Sequence, residues 1–262
     1  MAEEIENISA EAIGRNLKTR FVGRRLAYYP SVASTMELAL EEAREGASEG
    51  SVVIAGEQTS GKGRRNRVWL SPPGSISLSL VLRPQDSNLA GLVMVAALAV
   101  ASAIEKVTGL RPGIKWPNDV LINRRKVCGI LIETKVGRGS SNYAVVGIGI
   151  NVNLRLADYP DIAPLATSLS DELGGAVSRL DLLCRLLEEF ERLYLAASAG
   201  NSVFDQWRAR LVTLGKRVTA SCEGTRLEGM AESVAPDGSL MLRHSDGTLS
   251  RIVAGDVSLR DD

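Results

Sequence analysis

The chain has 262 residues, a formal net charge of zero, 45% hydrophobic residues and 24% charged ones. That balance excludes a disordered chain, which would carry far fewer apolar residues, and a protein that binds nucleic acid with its whole surface, which would be basic. The length suits one large domain or a main domain with a small appendage.

The N-terminus, Met-Ala-Glu-Glu-Ile-Glu, is acidic and has no apolar h-region, so the expected location is cytoplasmic. Ile13, Leu17 and Phe21 recur every four residues, which predicts a short amphipathic helix over Ser9–Phe21. Ser9 is placed to cap it, and Glu4 and Glu11 favour its start. Arg24–Tyr29 reads as a strand. Ser34-Thr35 opens a helix over Met36–Arg44, which Gly46 ends. Ser51–Glu57 is a second strand. Ser75–Leu82 alternates serine with isoleucine or leucine, which predicts a strand with one polar face. Asn88–Gly109 reads as a buried helix. Its apolar run, Leu92–Ile104, is too short and too rich in alanine to span a bilayer.

Short β-rich segments follow at Gly113–Trp116, Val120–Asn123, Lys126–Lys135 and Tyr143–Asn153, with a hairpin-sized turn at Asn123-Arg124-Arg125. Strands outnumber helices here, so neighbours can pair directly in a mixed α+β sheet. Arg179–Ala197 and Asn201–Leu211 return to helical periodicity. After Gly215 come five short strands, Arg217–Cys222, Thr225–Val234, Ser239–Leu242, Thr248–Val253 and Val257–Leu259, split by Glu-Gly, Pro-Asp-Gly and Asp-Gly turns. They predict a small closed barrel.

The candidate chemistry is local. Gln58–Trp69 carries Lys62, Arg64, Arg65 and Arg67 on a loop with Gly61 and Gly63, and Lys126 adds a fifth cation. In a chain of zero net charge, such a loop suits closure over a polyanion such as a nucleotide. Gly56-x-x-x-x-Gly61-Lys62 matches most of a P-loop, but Gly63 stands where the Mg²⁺-holding hydroxyl belongs. Lys115-Trp116-Pro117-Asn118-Asp119 holds an amide and a carboxylate next to a strand start. Gly129 interrupts the strand from Lys126, and Gly147 and Gly149 interrupt the strand that ends at Asn151; strand glycines mark close approach. The three cysteines, Cys128, Cys184 and Cys222, show no paired spacing. His244 is the only histidine, which excludes a histidine-rich metal site.

Taken together and in order, these motifs resemble the biotin protein ligases. The resemblance runs from about Arg24 to the C-terminus and rests on Ser34-Thr35, Gln58-Thr-x-Gly-Lys-Gly-Arg-x-x-Arg-x-Trp69, Lys115-Trp-Pro-Asn-Asp119, Lys126-x-x-Gly-Ile-Leu131 and Gly147-Ile-Gly-Ile-Asn151. It implies a mixed-sheet catalytic domain of the class II aminoacyl-tRNA synthetase and biotin ligase kind (1–213) and a C-terminal SH3-like barrel (214–262). It also implies formation of biotinyl-5′-adenylate from biotin and ATP, then transfer to a lysine on a carboxylase carrier domain.

Carried over residue by residue, the resemblance makes Arg64, Lys126 and Asp119 catalytic. It assigns Ser34, Thr35, Met36, Gln58, Gly61, Lys62, Gly63, Arg64, Lys126, Gly129, Gly147 and Gly149 to biotin. It assigns Lys62, Arg64, Arg65, Arg67, Trp69, Asn118, Lys126 and Asn151 to ATP. Mg²⁺ is expected to ride with ATP, near Asp119, with no metal held by the protein alone. Lys62 and Asn66 depart from the commonest loop motif, where an arginine and a glycine stand. Only 33 residues precede Ser34, so no DNA-binding domain and no specific DNA binding are expected. No membrane partner is expected, and a homodimer and a monomer both fit. The rival enzyme is a lipoate–protein ligase of the same fold. The rival binder, a single-strand nucleic-acid protein, would need aromatics on the barrel, and none follows Gly215.

Overall fold

Two β-sheets organise the chain in the computed structural model, which describes residues 8–84, 91–135, 142–222 and 225–259. The first sheet has seven strands: β1 (Leu26–Tyr29), β2 (Val52–Ala55), β3 (Ile76–Leu82), β4 (Gly113–Lys115), β5 (Asp119–Ile122), β6 (Arg125–Lys135) and β7 (Tyr143–Ile150). Their order is β1-β2-β3-β7-β6-β5-β4. Only β1 and β2 run parallel; the other pairs are antiparallel, so the sheet is mixed. The helices are α1 (Ala10–Asn16), α2 (Thr35–Arg44), α3 (Leu92–Thr108), α4 (Leu169–Leu173), α5 (Arg179–Ser198) and α6 (Phe204–Ala209).

Strand alternation sorts side chains onto two faces. Leu78, Leu80 and Leu82 of β3, with Val146, Ile148 and Ile150 of β7, join the large core that includes α3 and α5. Val81 and Val145 point the other way and pack with Met36, Ala39 and Ala43 of α2. Both faces are therefore covered. The serines give β3 the polar face expected of it, but that face is buried. Ser77 and Ser79 are buried, and their hydroxyls pair with Ser71 (2.5 Å) and Thr35 (2.9 Å).

The first helix is shorter than its periodicity predicts. It ends at Asn16, and Leu17 is extended although buried. The cause lies far along the chain. The buried Glu191 carboxylate of α5 accepts the N–H groups of Arg20, Phe21 and Val22 at 2.6, 2.8 and 3.0 Å, groups that a continuing helix would use. Ser9 does cap α1, accepting from the Ala12 N–H, whereas Glu4 lies outside the described residues. The long apolar helix, expected from Asn88, is described from Leu92 onward and closes at Gly109 with φ +75°.

The second sheet comprises β8 (Arg217–Cys222), β9 (Thr225–Val234), β10 (Leu240–Arg243), β11 (Leu249–Ile252) and β12 (Asp256–Leu259), ordered β11-β10-β9-β8-β12 and antiparallel throughout. It has the SH3-like form. Val218, Ala220, Leu240, Leu242 and Val257 belong to the same apolar cluster as the first sheet. Trp116 adds a polar tie, its indole N–H donating to the Gly238 carbonyl at 2.8 Å. Among the described residues, no helix is long and apolar enough to cross a membrane.

Candidate active site

On the α2 side of the first sheet, β6 and β7 present Gly129, Gly147 and Gly149 beside the N-terminal turn of α2. A cavity of about 630 Å³ opens there, roofed by the cationic loop. The glycines are needed by neighbouring side chains. A Cβ at Gly147 would meet Met36 Cε at 2.7 Å, and one at Gly149 would run into the Trp69 indole. Gly129 lies under Trp69 and Lys126 in the same way.

One end of the cavity is polar and uncharged. The Thr35 N–H and hydroxyl both donate to Gln58 Oε1, at 2.9 and 3.1 Å. The Ser34 hydroxyl and the Trp69 indole N–H are buried, and neither has a hydrogen-bond partner. An unpaired buried polar group is costly, roughly 1–3 kcal/mol; the Ser75 hydroxyl and the Trp207 indole N–H, outside the cavity, share that state.

The other end is cationic. Arg64 Nη1 donates to Asn118 Oδ1 (2.9 Å), and Asn118 Nδ2 donates to the Ile130 carbonyl (2.5 Å), so the Lys-Trp-Pro-Asn-Asp turn holds the arginine against β6. The Trp116–Pro117 peptide in that turn is cis. Lys126 Nζ lies 2.6 Å from Asp119 Oδ1 and 5.3 Å from the Trp69 ring centre. Burial, then Arg65, depresses the Arg64 pKa, though a guanidinium starts so high that it stays charged. Burial also lowers the pKa of Lys115, which faces Asp119 across β4 and β5.

The loop has its own folded form. Gly63 N–H donates to the Arg67 carbonyl (2.7 Å) and Trp69 N–H to that of Gly61 (2.9 Å). Arg65 and Asn66 take left-handed backbone, φ +53° and +59°. Asparagine suits that region, as its place in the motif suggests.

Nearly all the residues expected from the sequence meet here. Ser34, Thr35, Met36, Gln58, Lys62, Gly63, Arg64, Arg67, Trp69, Asn118, Asp119, Lys126, Gly129, Gly147, Gly149 and Asn151 line the cavity. Gly61 and Arg65 do not. A Cβ at Gly61 would meet Gln58 and the backbone of Trp69, while Arg65 turns outward and donates to the Ser221 carbonyl at 2.8 Å. The Asn151 amide donates to the Thr167 carbonyl (3.0 Å) and so anchors a further wall.

That wall, residues 158–166, was not anticipated, nor was Asp256, which also lines the cavity. The Tyr-Pro-Asp run in an aperiodic stretch is the only signal for the wall. It is fastened to the site by Lys126 N–H to the Leu165 carbonyl and Thr167 N–H to the Lys126 carbonyl, both 2.9 Å.

A mixed sheet, a glycine-floored cavity with a cationic rim and an SH3-like C-terminal sheet define the class of biotin and lipoate protein ligases. Residues 28–151 match the model of the biotin/lipoate A/B protein ligase family, and residues 213–260 match the biotin protein ligase C-terminal domain. The chain belongs to the biotin protein ligase family. It is 34% identical over 258 residues to the bifunctional ligase/repressor BirA of Bacillus subtilis, covering 96% of this chain and 79% of that protein. To the biotin–[acetyl-CoA-carboxylase] ligase of Paracoccus denitrificans it is 40% identical over 215 residues, covering 77% and 88%. Among solved structures, the Aquifex aeolicus biotin protein ligase in complex with biotin and ATP superposes with a TM-score of 0.79 at 28% identity, over 91% of this chain and all of that one.

Proposed function

We infer that this protein joins biotin to a lysine of a carboxylase carrier domain, using ATP. In the first step a biotin carboxylate oxygen bonds to the α-phosphorus of ATP. The bond to the β-phosphate bridge breaks, releasing pyrophosphate and leaving biotinyl-5′-adenylate. In the second step the acceptor amine bonds to the acyl carbon, AMP leaves with the electron pair of the broken C–O bond, and the amine gives up a proton.

The observation that carries this reading is the cavity's polarity. Two unpartnered buried polar atoms, Ser34 Oγ and Trp69 Nε1, lie in a cavity whose rim carries Arg64 and Lys126. Biotin has the matching form, with a neutral ureido ring, an apolar body and a terminal carboxylate. Bringing that carboxylate to a phosphate sets two anions together, and their repulsion grows as water leaves. We assign Arg64 and Lys126 to neutralise them, Ser34, Thr35 and Gln58 to the ureido ring, and Trp69 and Asn118 to the nucleotide. Asp119, already on Lys126, is assigned to receive or orient the acceptor amine.

Mg²⁺ enters with ATP and supplies charge neutralisation at the phosphates. Among the described residues no group of three His, Cys, Asp or Glu side chains could hold a metal. We place the catalytic domain at 1–213 and the C-terminal domain at 214–262. The test is incubation with biotin and Mg-ATP, with mass spectrometry for biotinyl-adenylate and lipoate as competitor. A biotin adduct that excess lipoate does not suppress supports the assignment, and a lipoyl-adenylate in its place overturns it.

A further inference from the structure

The cations of the loop are not waiting alone. Lys62 Nζ lies 2.5 Å from Glu37 Oε1 of α2. The three arginines share a single partner from the other sheet, Asp256 at the start of β12. Arg64 Nη1 is 3.5 Å from its Oδ1, Arg65 Nη1 is 3.7 Å from its Oδ2, and Arg67 also pairs with that oxygen. Backbone carbonyls complete the cradle: Arg64 donates to Gly255 (3.0 Å) and Arg65 to Ser221 (2.8 Å).

Asp256 and Ser221 are register partners in the β12–β8 ladder, so one rung of that sheet receives all three arginines. The carboxylate is therefore held in place by strand pairing, while the loop it holds has left-handed backbone at Arg65 and Asn66. Three clustered guanidinium groups repel one another and would spread apart without a shared anion.

We propose that Asp256 is a positioning residue, a resident counter-anion that gathers Arg64, Arg65 and Arg67 beside one another, with Arg64 and Arg67 at the cavity, until a nucleotide's phosphates take over their charge. A triphosphate offers the same guanidinium groups several charge-assisted bonds. With the arginines gathered beforehand, binding does not have to bring three like charges together. The nucleotide half of this proposal rests on the ATP-dependent reading above; the loop half does not.

Hydrogen exchange of the whole chain, without biotin or nucleotide, reads the loop directly. Asp256→Asn should speed exchange at the Gly63, Arg67 and Trp69 amides about tenfold or more while the β8–β12 ladder keeps its protection. Salt of about 1 M should move the wild type in the same direction. Asp256→Glu should restore most of the protection. In turnover, the loss in Asp256→Asn should fall on KM for ATP rather than on kcat, and the glutamate variant should recover it. Unchanged loop exchange in Asp256→Asn overturns the proposal, as does a loss confined to kcat. Should Asp256→Asn not fold, Arg67→Gln tests the same contact from the loop side, and unaltered loop exchange in that variant overturns the proposal as well. If the wild type forms no biotinyl-adenylate, the activity reading fails while the exchange comparison still decides the role of Asp256.

Discussion

Alanine placed at Gly149 and at Gly147 is the same chemical change two residues apart on β7, and the two should behave differently. At Gly147 the one close contact of the new methyl is the tip of Met36, 2.7 Å away, a flexible end that can swing aside, with Leu131 O and Ser79 Oγ at an ordinary 3.6 Å. At Gly149 it meets three atoms of the rigid Trp69 indole. That ring cannot yield by a rotamer tip, so it must leave the glycine floor. Overpacking of this kind costs about 1–3 kcal/mol. Trp69 sits on a partly exposed loop rather than in the core, so the cost should appear in ligand binding more than in stability. At about 1.4 kcal/mol per decade it amounts to roughly a 5- to 150-fold rise in KM for ATP. Trp116 and Trp207, 2% and 1% exposed, stay in the core, so a change in tryptophan emission reports Trp69. Gly149→Ala should alter that emission and raise KM, while Gly147→Ala should do little to either. If Gly149→Ala kept wild-type emission and KM, or if Gly147→Ala were the worse variant, the packing argument would be refuted.

Three further outcomes follow from single contacts. Ser34→Ala removes a buried hydroxyl that has no protein partner, so stability in urea should hold or rise while biotin affinity in calorimetry falls about tenfold; unchanged affinity would remove Ser34 from the biotin site. Asp119→Ala should slow adenylation or transfer at least about tenfold with circular dichroism unaltered, and wild-type rates in both half-reactions would exclude the role. Burial opposes ionisation of Glu172, but bonds from Thr167 (2.6 Å), Asn123 (2.6 Å) and Arg125 (2.7 Å) outweigh it and hold its pKa below the ordinary carboxylate value. A depressed folded pKa contributes stability above the unfolded value of about 4.3 and loses it as pH falls through the folded one, so the stability gap between wild type and Glu172→Gln should be full near about pH 7 and shrink below about pH 4. A gap that widened in acid would reverse the sign of the argument.

Much of this molecule is legible along the chain because its signals are local. The five strands after Gly215 fall within a residue or two of their expected places, since each is bracketed by turn residues. The hairpin at Asn123-Arg124 declares itself by its length, and both residues take positive φ, 49° and 68°. What the chain conceals are partners distant in sequence. Glu191 cuts α1 short from 170 residues away. Ser77 and Ser79 form the expected polar face, and nothing local tells that it lies buried under α2 and Ser71. Asp256 reads as one acidic residue just before a short strand, and only the meeting of the two sheets sets it among the loop arginines. The wall at 158–166 has neither helical nor strand period, so periodicity is silent about it.

The claim on which the account rests is that positive charge at the cavity rim lets two anions react. Biotin-dependent pyrophosphate release from Mg-ATP tests it most directly, comparing the wild type with the Arg64→Gln/Lys126→Gln double variant. Each positioned cation is expected to contribute about 3 kcal/mol, so release should be readily measured in the wild type and fall at least about a thousandfold in the variant. Release that did not depend on biotin, or that survived neutralisation of both side chains, would contradict the account.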